Sequence, residues 1–142
     1  MNKKVLVIST SPRKGGNSDT LADFFIQGAQ EQGHAVEKVT LFDKQIGFCK
    51  GCLTCQSTQK CIIQDDANAI IEKMKEADVL VFATPIYYYG LSGQMKTLLD
   101  RANPLYSADY RFRDVYLLVA AAEEDAHTVD GAVTGLQGWV VC

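Results

Sequence analysis

The sequence predicts an α/β domain with a parallel sheet covered by helices on both faces. Three observations predict it. Apolar runs alternate with helical periods along the whole chain. The runs at 5–8, 79–83 and 115–120 are apolar almost throughout rather than alternating, as strands buried on both faces are. The connections between them are long enough for crossover helices, which parallel strands require.

Each element can be justified in order. Lys3 to Ser9 is a β-branched run and reads as the first strand. Ser18 to Gln32 carries Leu21, Phe24, Phe25, Gly28 and Ala29 at offsets that mark one helix face, and Gly33 ends it. Ala35 to Leu41 alternates weakly and reads as a second strand. Asp43 to Gln64 has no period and is expected to be a loop. Asp65-Asp66 offers N-cap carboxylates to a helix with Ala67, Ile70, Ile71, Met74 and Ala77 on its buried face. Val79 to Thr84 is a third strand. Ser92 caps a helix that buries Met95, Leu98, Leu99 and Ala102. Val115 to Ala121 is a fourth strand. Val129, Ala132, Val133, Leu136 and Trp139-Val140 then fit a last helix, the favoured reading, although Trp139 to Cys142 could instead begin a strand. The expected sheet order is 2-1-3-4-(5), with the fifth strand absent from residues 1–142. On this reading 1–142 is a single domain, truncated at its C-terminal side, and the edge of the fourth strand is left open.

Composition narrows the function. The net charge is −3, and the 14 Lys and Arg residues are scattered, so no nucleic-acid-binding surface is expected. The opening apolar run, Val5 to Ile8, is too short for a signal-peptide core or a membrane span, which points to the cytoplasm and no membrane partner. There are five cysteines, four of them within the Asp43–Gln64 segment, and in a reducing compartment such clustering points to metal or redox chemistry.

Ligands of open α/β sheets bind at the carboxyl ends of strands where the strand order reverses, here between the first and third strands. After the first strand comes Ser9-Thr10-Ser11-Pro12-Arg13-Lys14-Gly15-Gly16-Asn17-Ser18, feeding a helix N-terminus. Free N–H groups and the helix dipole favour an anion there, with Ser11, Asn17 and Ser18 as donors and Arg13 as ion pair. The plainer reading is a turn in which Asn17 or Ser18 simply caps the helix. There is no G-x-x-x-x-G-K-[ST], no G-x-G-x-x-G, no C-x5-R, and no Asp at the end of the third strand. Those absences argue against a P-loop NTPase, the usual dinucleotide fingerprint, a phosphatase loop and a receiver domain. After the third strand comes Pro85-Ile86-Tyr87-Tyr88-Tyr89-Gly90. Three tyrosines suit a flat aromatic ligand, or else a surface patch or dimer contact. A phosphate loop beside an aromatic loop describes a flat ring carrying a phosphate, which fits FMN.

Ser11-Pro12-Arg13 with Gly16-Asn17-Ser18 resembles the phosphate loop of NAD(P)H-dependent FMN reductases. Thr84-Pro85-Ile86-Tyr87-Tyr88, with Gly90 and then Lys96 and Asp100-Arg101, resembles their flavin-ring loop and following helix. Cys49, Cys52, Cys55 and Cys61, spaced C-x2-C-x2-C-x5-C and followed by Asp65-Asp66, resemble the iron–sulfur flavoprotein branch. The resemblance runs from residue 4 to about residue 121, with Thr10 standing where the family usually has Gly. It implies a flavodoxin-like three-layer sandwich, bound FMN, NAD(P)H as co-substrate, a quinone, flavin or similar acceptor, and homodimers or homotetramers. It also implies a candidate [4Fe–4S] site at the four cysteines. Zinc, or four reduced thiols, are the alternatives from ligand type alone. No catalytic side chain is needed for hydride transfer between bound cofactors. The second functional reading is a non-enzymatic flavin electron carrier or redox sensor. His34 and His127 are expected to be surface residues.

Overall fold

The structure is a computed structural model and describes residues 1–142. Four strands form one parallel sheet: β1 (Lys4–Ser9), β2 (Ala35–Thr40), β3 (Val79–Pro85) and β4 (Asp114–Ala120), in the order β2-β1-β3-β4. The helices are α1 (Asn17–Glu31), α2 (Thr54–Thr58), α3 (Asp66–Glu76), α4 (Gly93–Arg101) and α5 (Asp130–Val141), with short 3-10 turns at Asn103–Leu105 and Ala126–Val129. The expected parallel sheet forms, with β1 and β3 buried on both faces, while β4 is only half-buried and Tyr116 on it is exposed. Strand and helix boundaries fall within two residues of those expected.

The alternation of side chains along each strand separates two apolar layers. Leu6, Ile8, Leu80 and Phe82 point to one face and pack with residues of α3, α4 and α5, including Met74, Leu98 and Leu136. Val5, Val7, Val79, Val81 and Ala83 point to the other face, beneath Ala22, Phe25 and Ile26 of α1. The result is a three-layer sandwich of the flavodoxin type. Trp139 lies on α5, edge-on to Phe82 at 5.9 Å between ring centroids. The segment from Trp139 to Val141 is therefore helical and is not a strand beside β4, which forms one edge of the sheet. No helix is long and apolar enough to cross a membrane.

Three expectations need correction. The buried stripe of α1 is Ser18, Asp19 and Ala22, flanked by Phe25, Ile26 and Ala29, while Leu21 and Phe24 face outward. A small residue is needed where the helix lies on the sheet, and Ala22 is completely buried there. The large apolar residues therefore misled the assignment of the face. On α5, likewise, Ala132 and Leu136 are buried but Val133 and Val140 are exposed. Finally, the Asp43–Gln64 segment is not wholly irregular. It contains the single-turn α2, bracketed by Leu53 and Gln59, both in left-handed conformation at φ 60° and 58°. The hydroxyls of Ser57 and Thr58 donate to the Thr54 carbonyl and hold the turn closed. Five residues are too few to display a helical period.

Candidate functional site

The carboxyl ends of β1 and β3 lie side by side, with Ser9 paired to Ala83. Thr10 continues that pairing beyond the strand. Its N–H and its hydroxyl both donate to the Ala83 carbonyl, at 2.8 and 2.9 Å. Ser92, the N-cap of α4, donates its hydroxyl to the Thr10 carbonyl at 3.0 Å and receives Met95 N–H. The Ser92 N–H donates to the Thr84 hydroxyl at 3.0 Å. The loop after β1 and the loop after β3 are thus bonded to one another at their roots, and the buried Thr10 supplies part of the bonding. Its hydroxyl is used, which accounts for a β-branched residue at that position.

The loop after β1 ends in a helix without a side-chain cap. Gly16 is the N-cap of α1, and no side chain accepts from the first turn. Asn17 and Ser18 lie inside the helix, so the plainer reading, in which one of them caps it, does not hold. The first helical N–H groups have no intrahelical acceptor, and those of Gly16, Asn17 and Ser18 find no other partner in the protein. A Cβ at Gly16 would meet Ser11 Oγ at 3.5 Å and the Arg13 guanidinium at 3.6 Å. The missing side chain leaves a cradle lined by the hydroxyl, the guanidinium and free N–H groups. That arrangement suits an anion. Ser11 is buried and its Oγ accepts the Arg13 N–H at 3.1 Å, which fixes the turn.

The loop after β3 is a tight hairpin. Tyr87 and Gly90 exchange both backbone hydrogen bonds, at 3.2 and 3.1 Å, and Ile86 N–H donates to the Ala120 carbonyl. The two residues between them, Tyr88 and Tyr89, have φ of 47° and 63°. Left-handed backbone costs an ordinary residue about 1–2 kcal/mol. Asn and Gly would fill these positions without strain. All three rings are exposed, Tyr88 fully. Strain held in place to present aromatic rings to solvent is the pattern of a ligand-contacting loop.

The tyrosine hairpin also has a support that the sequence did not reveal. The Tyr89 hydroxyl donates to Glu123 Oε1 at 3.0 Å, and this carboxylate raises the Tyr89 pKa above its ordinary value. A Cβ at Gly131 would lie 2.3 Å from the Tyr89 carbonyl oxygen, so the second residue of α5 must lack a side chain here. His127 is exposed and pairs with Asp130, and His34 receives the Lys3 N–H near the start of β1. His127 stands beside the start of α5, next to the tyrosine hairpin, whereas His34 lies at the opposite end of the sheet, before β2.

The four clustered cysteines line one narrow cavity of about 30 Å³ together with Asp100, Arg101 and Asn103. Cys49 and Cys52 are exposed, Cys55 is buried and Cys61 is half-buried. Polar groups surround the sulfurs. Gly51 N–H donates to Cys49 Sγ and Asn103 Nδ2 to Cys55 Sγ. The backbone and hydroxyl of Thr54, with Lys50 nearby, hold the Cys52 thiol below its ordinary pKa. The donor set has the type and number of a [4Fe–4S] site. In this structure no three Cys, His, Asp or Glu side chains converge on a common point. The cavity between the cysteines has room for about two water molecules.

Comparison with known proteins agrees with the fold and with the motifs. The family model described as NADPH-dependent FMN reductase matches residues 3–139. An iron–sulfur flavoprotein of Methanocaldococcus jannaschii is 42% identical over 102 residues, covering 72% of this chain and 53% of that protein. An iron–sulfur flavoprotein of Methanosarcina thermophila is 35% identical over 99 residues, covering 70% and 52%. The chain therefore spans about half the length of these curated relatives. Among solved structures, an NAD(P)H:quinone oxidoreductase from Methanothermobacter marburgensis superposes with a TM-score of 0.74 at 17% identity, over 97% of this chain and 75% of that one, a likeness of fold. On the match along almost its whole length, the chain belongs to the NADPH-dependent FMN reductase family.

Proposed function

We propose that this chain is the flavin-binding domain of an FMN-dependent oxidoreductase that draws electrons from NAD(P)H. The observation that carries the reading is the uncapped N-terminus of α1 set beside a strained tyrosine hairpin at the adjacent ends of β1 and β3. The anion cradle of Ser11, Arg13, Gly16, Asn17 and Ser18 takes the FMN phosphate. The guanidinium supplies the balancing charge and the free N–H groups supply direction. Pro85, Ile86, Tyr87, Tyr88 and Gly90 line the ring, and the exposed rings of Tyr87 and Tyr88 exclude water from one side of it. Bound FMN supplies the two-electron chemistry, taking hydride from NAD(P)H and reducing a quinone, a second flavin or a similar small acceptor. No side chain at the site has to act as acid or base for the hydride step. Membership of the family supports assembly into dimers or tetramers.

The test combines a spectrum with a rate. Purified protein supplemented with FMN is expected to show the two flavin bands and to oxidise NADH or NADPH in the presence of a quinone. Flavin bands without turnover would replace the enzyme by an electron carrier. The same spectrum reports on the cysteine loop, since a broad brown shoulder would require the four thiols to close up from the arrangement described above.

A further inference from the structure

We infer that Asp19 is a positioning residue for the phosphate end of the flavin site, and that Lys38 keeps its charge from opposing the ligand. The inference rests on the proposed FMN site and goes beyond it. Its starting point is an apparent conflict. Asp19 lies in the first turn of α1 and is 5% exposed, yet this helix end is to receive a phosphate of the same sign.

The geometry resolves the conflict. The Asp19 carboxylate reaches back beneath the loop instead of outward. Oδ2 accepts the Gly15 N–H at 3.0 Å, and Oδ1 accepts the Ser9 hydroxyl at 2.7 Å. Gly15 is left-handed, at φ +73°, which is the sharp turn that brings the chain into α1. The carboxylate thus fastens the end of β1 to the turn and consumes the Gly15 N–H. The N–H groups of Gly16, Asn17 and Ser18 are left without protein partners.

Lys38 crosses from β2 and places Nζ 2.9 Å from Asp19 Oδ1 and 2.7 Å from Asp23 Oδ1. Burial pushes the Asp19 carboxyl up, but the bonds from Lys38, Ser9 and Gly15 outweigh burial and hold it below the ordinary range. The group is therefore ionised at neutral pH and locally neutralised. Lys14 on the same loop and Arg13 remain as cations not taken up by Asp19.

The test compares FMN with riboflavin, which lacks the phosphate, by fluorescence titration of the full chain stripped of flavin. The ratio of the two affinities isolates the phosphate end. Positioning predicts that Asp19→Asn lowers the FMN-to-riboflavin ratio roughly tenfold, the value of about one charge-assisted hydrogen bond. Charge alone predicts the opposite sign, because removing a carboxylate near a phosphate should tighten FMN. Lys38→Met, at a side chain 23% exposed, should also lower the ratio by leaving the carboxylate uncompensated. It serves as the second variant if Asp19→Asn does not fold.

An unchanged or raised ratio in Asp19→Asn overturns the positioning role. If that variant does not fold, an unchanged ratio in Lys38→Met does so instead. Equal weakening of both flavins would reduce Asp19 to a helix-stabilising residue and also overturns the inference. Wild-type protein that does not prefer FMN to riboflavin would instead remove the phosphate site itself, a result distinct from either of these.

Discussion

Replacing Arg101 tests whether the cysteine loop depends on one buried charge. The Arg101 side chain is 0% exposed at the end of α4. Nη1 donates to Gly47 O at 2.9 Å and Asp65 Oδ2 at 2.6 Å. Nη2 donates to Ile63 O at 3.1 Å, Asp65 Oδ1 at 3.0 Å and Asn68 Oδ1 at 3.2 Å. Both ends of the cysteine loop are therefore held on one guanidinium. Arg101→Met keeps much of the aliphatic stem but strands the Asp65 carboxylate, whose side chain is 13% exposed. Breaking a buried pair by removing one partner costs about 3–5 kcal/mol. Domains of this size have about 5–15 kcal/mol in total, so the loss should be plain in urea unfolding. Asp65→Asn should also destabilise. The double variant should cost less than the sum, because no unpaired charge remains buried. A loss below about 1 kcal/mol in Arg101→Met, or strict additivity in the double variant, would refute the reasoning.

The pH dependence of that pair has a definite sign. Burial pushes the Asp65 carboxyl up, but the bonds from Arg101, Gly47 N–H and Ala67 N–H outweigh it and hold it below its ordinary value. A carboxyl depressed on folding stabilises above its unfolded pKa of about 3.9 and loses that contribution as pH falls through the folded value. The stability difference between wild type and Asp65→Asn should therefore be constant near neutrality and shrink below about pH 4.

Three further outcomes are expected at the flavin site. Arg13→Ala should weaken FMN by about 10–100-fold while leaving riboflavin almost unchanged, and an FMN titration with no such shift would remove Arg13 from the phosphate. Tyr87→Ala and Tyr88→Ala should each relieve quenching of bound FMN fluorescence; if neither does, the exposed rings are not against the flavin. Gly131→Ala should weaken FMN and riboflavin alike, because the new Cβ would overlap the Tyr89 carbonyl oxygen 2.3 Å away. Ala should otherwise improve an exposed helix by about 1 kcal/mol, so higher thermal stability with unchanged flavin affinity would show that the close approach is not maintained.

What could be read in the sequence was what depends on local order. Continuous apolar runs located β1, β3 and β4, and Asp65 and Ser92 were legible as caps because a cap and the N–H that donates to it lie two or three residues apart. The two loops proposed to hold the flavin were picked out by topology, from which strand ends meet at the point where the order reverses. What stayed hidden depends on groups distant in sequence. Nothing about Asp19 alone shows that Lys38 of β2 will reach it, and Arg101 looked like a helix-end cation rather than the anchor of a loop 54 residues earlier. The tyrosine hairpin was hidden for a different reason. Its turn favours Asn and Gly, and the chain places Tyr88 and Tyr89 there against local preference. Conflict between local preference and adopted backbone is expected where function overrides stability.

These anchors also explain how two chemically different regions share one small domain. Helix α4 touches both. At its N-terminus Ser92 bonds to Thr10 and Thr84, at the roots of the phosphate and ring loops. At its C-terminus Arg101 gathers Gly47, Ile63 and Asp65 of the cysteine loop. Between the two ends, Met95, Leu98 and Leu99 are buried in the larger apolar layer, so the helix is fixed by the core and by neither loop alone. From Ser92 to Arg101 the helix rises about 14 Å at about 1.5 Å per residue. The distance between the flavin loops and the cysteine loop is consequently set by a packed element. A shift of α4 would disturb the roots of the two strand-end loops and the anchor of the cysteine loop together. A rigid, fully hydrogen-bonded root thus lies beneath the flavin loops, while the cysteine loop's strained turns at Leu53 and Gln59 lie beyond its anchor.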